Sequence, residues 1–257
     1  MRILCLGDSI MQYNDCLTYP QTGWVQELAR FFPRNTEFLN FARNGRSTKS
    51  FIAEGRFGKV LEVAEEGDYV LIQFAHNDEK IADASRYTSP DADGEFRRNL
   101  EFFVMNLWAK KCKPILLTPV SRRKFLEADS DGIQKVENTH GEYPNAIIET
   151  AGALGVPCID VTRLTMEFLE DIGEENSRRF FMNFEAGLYS NYPDGKSDNS
   201  HLRPDGAFEV SRITAMEIAK LGETWADYKE LSDSVIGKKI DESDGEEIDD
   251  EFLIFKK

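Results

Sequence analysis

The chain predicts an α/β fold: a five-stranded parallel sheet held between two layers of helices, three layers in all. Short apolar runs recur along it, stretches of helical period separate them, and turn residues follow the runs.

The runs RILCLG, EFLNFA, DYVLIQFA, KPILLTPV and VPCIDV are rich in Ile, Val, Leu and Phe. Each is short enough to be a strand buried on both faces. Parallel neighbours need crossover connections, which helices between the runs supply. GWVQELARFF puts Trp24, Leu28 and Phe31 on one face, FRRNLEFFVMNLWAKK does so with Leu100, Phe103 and Leu107, and YPNAIIETAGALG ends in glycine, as helices often do. Beyond the fifth run, TRLTMEFLEDIG predicts a helix and residues 174 to 200 read as irregular. A last helix, PDGAFEVSRITAMEIAKLG, is expected to open with Pro204 and close before Gly222. Trp24, Trp108 and Trp225 fall in helical patterns and are assigned to packing.

With 257 residues, 41% hydrophobic and 30% charged, the chain suits one domain, expected over residues 1 to 230, with an appendage at 231 to 257. Residues 241 to 251, DESDGEEIDDE, hold eight carboxylates and no basic residue, so this tail is expected to be extended or mobile, with FLIFKK able to dock. A net charge of −15 excludes nucleic acid as a partner, because phosphate binding needs clustered Lys and Arg. No run approaches the length of a membrane helix and no leader precedes the first strand, so a cytoplasmic protein with no membrane partner is expected. Cys5, Cys16, Cys112 and Cys158 lack C-x-x-C pairing and read as free thiols. His76, His140 and His201 are too scattered for a zinc site, and no metal or other cofactor is expected.

In sheets of this kind ligands bind outside the carboxyl ends of the strands. Gly-Asp-Ser at 7 to 9 follows the first run, RNGRSTKS the second, His76-Asn77-Asp78 the third and VSRRKF the fourth, and SDNSHLRPDG precedes the last helix. Taken singly, Ser9 is a turn residue or N-cap, Gly45 a turn glycine, Asn77 a loop cap, and Asp198 to His201 a polar loop. Taken together they hold the parts of acyl transfer. A serine needs a general base, which His201 can be, and Asp198 three residues upstream can fix its tautomer. Gly45 can present an unhindered backbone N–H and Asn77 a side-chain amide to a developing oxyanion.

These blocks, GDSI, NGRSTKSF, HND and DNSH, resemble the four blocks of the GDSL/SGNH hydrolases in order and spacing over residues 3 to 206. GRSTKSFIAEGRF, AHND and SHLRPDGA are most similar to the rhamnogalacturonan acetylesterase branch, whose members remove acetyl groups from sugar hydroxyls. The resemblance implies a flavodoxin-like hydrolase fold and a serine esterase acting through an acyl-enzyme. It also implies Ser9 as nucleophile, His201 as base, Asp198 as its orienter, and the N–H groups of Ser9 and Gly45 with Asn77 as the oxyanion hole. That branch usually has glycine before HND; here Ala75 stands there, and its methyl is expected to narrow the pocket or shift the loop.

The expected partner is a small acetylated saccharide. Arg46, His76, Arg122 and Tyr192 are candidate substrate contacts, and Phe184 and Tyr189 are further aromatics able to stack on a sugar or pin the loop. Arg43, Arg46, Lys49, Arg56, Arg122, Arg123 and Lys124 gather in strand-end loops, either as solvated charges or as a positive rim for a uronate. Two alternatives remain open: a lipase, thioesterase or arylesterase with another acyl group, and a non-catalytic carbohydrate-binding protein. G-x-G-x-x-G and G-x-x-x-x-G-K-[ST] are absent, which argues against nucleotide binding.

Overall fold

The computed structural model describes residues 1–237, so the acidic run and the closing FLIFKK lie outside the described residues. Five strands form one parallel sheet: β1 (Arg2–Gly7), β2 (Glu37–Asn40), β3 (Tyr69–Gln73), β4 (Lys113–Leu117) and β5 (Cys158–Ile159), in the order β2-β1-β3-β4-β5. All five coincide with the apolar runs. The helices are α1 (Val25–Leu28), α2 (Thr48–Ala53), α3 (Arg56–Val63), α4 (Glu95–Ala109), α5 (Tyr143–Leu154), α6 (Val161–Ile172), α7 (Glu174–Ser177), α8 (Pro204–Thr224) and α9 (Lys229–Ser234). Among the described residues, no helix is long and apolar enough to cross a membrane.

Strand side chains alternate between faces, and the core divides accordingly. Ile3, Cys5, Leu71, Ile115 and Leu117 belong to one buried cluster with Trp24, Leu28, Leu169, Ala207, Ile218 and Leu231, from the region of α1 and from α6, α8 and α9. Leu4, Leu6, Val70, Ile72 and Leu116 belong to the other with Phe51, Phe57, Phe96, Phe103 and Ile147, from α2, α3, α4 and α5. Burial on both faces is why the strands read as unbroken apolar runs.

Four expectations change in detail. The stretch expected to be irregular contains β6 (Phe181–Phe184) and β7 (Lys196–Leu202), paired antiparallel with a register shift between Phe181 and Met182. α8 does not close before Gly222. It runs to Thr224, and a Cβ at Gly222 would lie 3.0 Å from Cα of Lys229 and Cβ of Ser232, so this glycine admits α9 rather than ending the helix. Trp24 is fully buried, but Trp108 is 40% exposed on the outer side of α4, whereas its neighbour Leu107 faces the core. Packing also continues beyond residue 230, since Leu231 and Val235 are buried and the Ile236 N–H donates to the Phe31 carbonyl at 2.8 Å.

Gly7 ends β1 where there is no room for a side chain: an added Cβ would lie 2.5 Å from the Met11 sulfur and 2.7 Å from the Gln73 carbonyl oxygen. Replacing it forces β1 and β3 apart at their carboxyl ends. Gly7→Ala is therefore expected to lower the unfolding free energy by about 1–3 kcal/mol, read from urea denaturation. Wild-type stability in that variant would show that the two strand ends are not so tightly apposed.

Candidate active site

The strand order reverses direction beside β1, and in such sheets the crevice at the carboxyl ends of the strands there takes the ligand. Ser9 stands at that point. Its turn is closed by the Gln12 N–H, which donates to the Asp8 carbonyl at 3.1 Å, and by the Ile10 N–H, which donates to Asp8 Oδ1 at 3.0 Å.

The β6–β7 hairpin carries Asp198 and His201 to the same crevice. Asn183 on β6 receives the Asp198 N–H at 3.0 Å and donates to the Asp198 carbonyl at 3.2 Å, so the hairpin is anchored at the carboxylate's own residue. Asp198 Oδ1 accepts the N–H groups of Ser200 at 2.9 Å and His201 at 3.0 Å, and Oδ2 lies 2.8 Å from His201 Nδ1. A carboxylate only accepts, so Nδ1 carries the proton and Nε2 is a free lone pair. That lone pair faces Ser9 Oγ at 3.0 Å. Burial alone would raise the Asp198 pKa, but the hydrogen bonds from His201 and Ser200 outweigh it and hold the group well below the usual carboxylate range.

The Arg43 N–H donates to the Gly7 carbonyl at 3.0 Å, which brings the turn containing Gly45 beside the end of β1. Neither the Ser9 N–H nor the Gly45 N–H has a protein acceptor among the described residues. Gly45 has φ +75°, a conformation that favours glycine. Asn77 is buried; its Oδ1 accepts Lys80 Nζ at 2.8 Å, and its Nδ2 donates to the Arg46 carbonyl at 3.2 Å, which draws the amide against the Gly45–Arg46 turn and leaves it a second N–H. Ala75 has φ +146° and is fully sealed within the second core cluster. Its methyl is absorbed by the core rather than standing in the crevice, contrary to the expected narrowing.

The remaining candidates have mixed placements. His76 is buried beside Asp8, with Nδ1 3.4 Å from Asp8 Oδ2 and its ring edge-on to His140 at 4.6 Å between centroids. Arg46 is bound to Glu54 at 3.0 Å and to the Asn44 carbonyl at 2.8 Å. Arg122 has all three nitrogens engaged: Nε donates to Ser200 Oγ at 3.1 Å, Nη1 to Thr139 Oγ1 at 3.1 Å, and Nη2 to Glu79. Tyr192 donates its hydroxyl to the Thr18 carbonyl at 3.2 Å and packs edge-on to Phe184, which also meets Tyr189. In the expected basic rim, Arg56, Lys49, Arg123 and Lys124 likewise pair with Glu54, Glu95, Glu174 and Glu137, and only Arg43 lacks a partner among the described residues. The rim is thereby largely neutralised.

Two groups escaped the sequence reading. Glu79 receives Arg122 and lies 2.9 Å from His140 Nδ1, while His140 Nε2 donates to the Val120 carbonyl at 3.0 Å. Burial opposes ionisation of Glu79, but His140 and Arg122 outweigh it and hold its pKa below the ordinary value. Asp78 is the other. Its Oδ1 accepts the Thr48 N–H at 2.9 Å, the Thr48 hydroxyl at 2.5 Å and the Thr88 hydroxyl at 2.7 Å, which fixes the start of α2 beside the Gly45 turn.

The profile of the GDSL-like Lipase/Acylhydrolase family matches residues 5–206, a span that contains every residue of this site. The chain belongs to that family. It is 37% identical over 224 residues to the rhamnogalacturonan acetylesterase RhgT of Bacillus subtilis, covering 86% of this chain and 91% of that protein. It is 31% identical over 221 residues to the probable rhamnogalacturonan acetylesterase YesY of the same organism, covering 86% and 93%. Among solved structures, the Bacillus subtilis protein YXIM superposes with a TM-score of 0.71 at 24% identity over 86% of this chain, which spans 57% of that one. An acetylxylan esterase from Geobacillus stearothermophilus superposes at 0.57 with 16% identity, covering 84% and 93%. These two likenesses concern the fold.

In this GDSL-family site Asp78 is the group most displaced toward neutrality: burial pushes its pKa from 3.8 up to about 7, against the three donors that oppose the shift. The native state therefore holds the Asp78 proton more tightly than the unfolded chain. The stability this contributes is full below pH 3.8 and is lost as pH rises through 7. Between those limits the stability of wild type is expected to fall relative to that of Asp78→Asn, measured by denaturation at several pH values. Parallel pH curves for the two proteins would refute it.

Proposed function

We propose that the chain is a serine esterase that removes acetyl groups from acetylated saccharides of the rhamnogalacturonan type through an acyl-enzyme. The observation that carries this reading is the unbroken hydrogen-bond chain from Ser9 Oγ to His201 Nε2 at 3.0 Å and from His201 Nδ1 to Asp198 Oδ2 at 2.8 Å. The names of the two relatives over 30% identical supply the acyl group and the substrate class.

Ser9 Oγ attacks the acetyl carbonyl as His201 Nε2 takes its proton, and Asp198 stabilises the imidazolium. The oxyanion is met by the N–H groups of Ser9 and Gly45 and by the Asn77 amide, donors already fixed before the reaction begins. The tetrahedral intermediate collapses, the sugar alkoxide leaves with the proton from His201, and acetyl remains on Ser9. Water, deprotonated by the same imidazole, then releases acetate and restores the hydroxyl. Asp8, which precedes the serine, and His76, 3.4 Å from the Asp8 carboxylate, are polar surroundings that suit a short acyl group better than a long apolar chain.

Acetate release from acetylated pectic oligosaccharides is the direct test. Ser9→Ala is expected to lose at least about 10⁴-fold in kcat and all labelling by a fluorophosphonate. Asn77→Ala is expected to lose about 100- to 1,000-fold in kcat, with circular dichroism verifying the fold. Wild-type turnover in either variant would overturn the mechanism, and preference for butyryl or longer nitrophenyl esters would overturn the acetyl assignment.

A further inference from the structure

Beside the β6–β7 hairpin lies a cleft of about 610 Å³, lined by Arg178, Arg179, Asn183, Phe184, Leu188 and Arg203 and also by Glu175 and Glu185. That volume falls in the range of small-molecule sites. Its charge is unusual for this chain, which is strongly acidic as a whole. The strand-end arginines 46, 56, 122 and 123 are all paired with glutamates, but two of the three cleft arginines are not. Arg178 pairs with Glu185. Arg179 has no carboxylate partner among the described residues and lies over the Phe180 ring at 4.8 Å.

Arg203 is the more informative. Its guanidinium is held over Phe184 at 5.9 Å and Tyr189 at 5.6 Å, and Nη2 donates to the Tyr189 hydroxyl at 2.8 Å. Nε is buried without a hydrogen-bond partner, and Nη1 has no partner among the described residues and is not sealed from solvent. A cation fixed by aromatic contacts, with Nη1 unused and open to solvent and no counter-ion among the described residues, is prepared for an anion from outside. A guanidinium's planar fork matches a carboxylate. The cleft also adjoins the chemistry. Arg203 follows His201 by two residues, a separation of at most about 7 Å along the chain, and Asn183 lines the cleft while holding the backbone of Asp198.

We infer that this cleft is a carboxylate-binding subsite for an acidic sugar unit flanking the acetylated one, with Arg203 holding the carboxylate, Arg179 adding positive charge at the mouth, and Phe184 and Leu188 forming an apolar floor. The inference rests on the saccharide reading of the catalytic site, but binding at the cleft requires no turnover.

The test measures binding of trigalacturonate, which carries no acetyl group, by calorimetry on the full chain. Wild type is expected to bind it at low salt, more weakly as salt rises, and at least about 10-fold more weakly when the carboxylates are reduced to alcohols. Arg203→Gln is expected to raise Kd about 10-fold or more, and Arg203→Lys, which keeps the charge without the fork, by less. Arg179→Gln, at an exposed position, supplies the same direction of change if Arg203→Gln fails to fold. Absence of trigalacturonate binding by wild type, equal affinity for the reduced trimer, or unchanged Kd in the folded variants overturns the subsite. Loss of acetate release in Ser9→Ala together with undiminished trigalacturonate binding by that variant keeps the two inferences separately readable.

Discussion

The Asp198 carboxylate organises the surroundings of His201, whose other ring nitrogen faces Ser9. It accepts three hydrogen bonds, two from the backbone of its own loop and one from the imidazole it orients. The first two curl Ser200 and His201 back toward Asp198, so the ring is already near its acceptor before the side chain chooses a rotamer. The third assigns the tautomer. A charged acceptor makes each bond stronger than a neutral one would be, about 1.5–3 kcal/mol rather than about 1. Their combined effect also explains why a half-buried carboxylate stays ionised although desolvation opposes it. Without that negative charge the proton on Nδ1 has no fixed partner, and Nε2 is not reliably the nitrogen that faces Ser9.

Ser9 and His201 lie 192 residues apart in the chain, so their 3.0 Å contact depends on how separate elements are bolted together. Trp24 is one bolt: its indole Nε1 donates to Gln73 Oε1 at 2.8 Å, and Gln73 Nε2 donates to the Thr118 carbonyl at 2.8 Å, tying the segment after Ser9 to the ends of β3 and β4. Arg122 is another. It reaches Ser200 beside His201 and Glu79 two residues from Asn77, so one guanidinium spans the loops that carry these two side chains. Its half-buried charge is compensated by Glu79, and removing either partner would leave the other uncompensated in a poorly solvated place. Asp78 performs the corresponding service for the Gly45 turn through Thr48.

What the sequence reveals and what it conceals follow from the range of the interactions. The strands were legible because burial on both faces leaves a local mark, a run of Ile, Val and Leu. Ser9, Gly45, Asn77 and His201 were legible because each sits directly after such a run or before a proline-initiated helix. The β6–β7 hairpin was not, because KSDNSHL is a polar strand with no apolar alternation, and its pairing is made partly through side chains such as Asn183 to Asn199 at 2.7 Å. Arg122 looked like a free rim charge because its partners lie 43 and 78 residues away, and an ion pair leaves no trace in either local segment. Gly222 misled for a related reason: a glycine kept for close packing against α9 is indistinguishable by residue type from one that ends a helix.

Ala75 bears on both the sheet and the turn that carries Asn77. Its φ of +146° belongs to a region that glycine enters freely and other residues enter at a cost of about 1–3 kcal/mol. The conformation is imposed from both sides. Before it, Gln73 and Phe74 are buried at the end of β3; after it, Asn77 and Asp78 must reach the Gly45 turn and the start of α2, and the Glu79 N–H closes the bend on the Ala75 carbonyl at 3.1 Å. An alanine can be accepted here because its methyl enters the apolar cluster with Leu6 and Phe51, and burial of a methyl returns about 0.8 kcal/mol. The substitution therefore alters the local stability of the bend more than the shape of the crevice, and the donor that Asn77 presents is held by contacts on its far side.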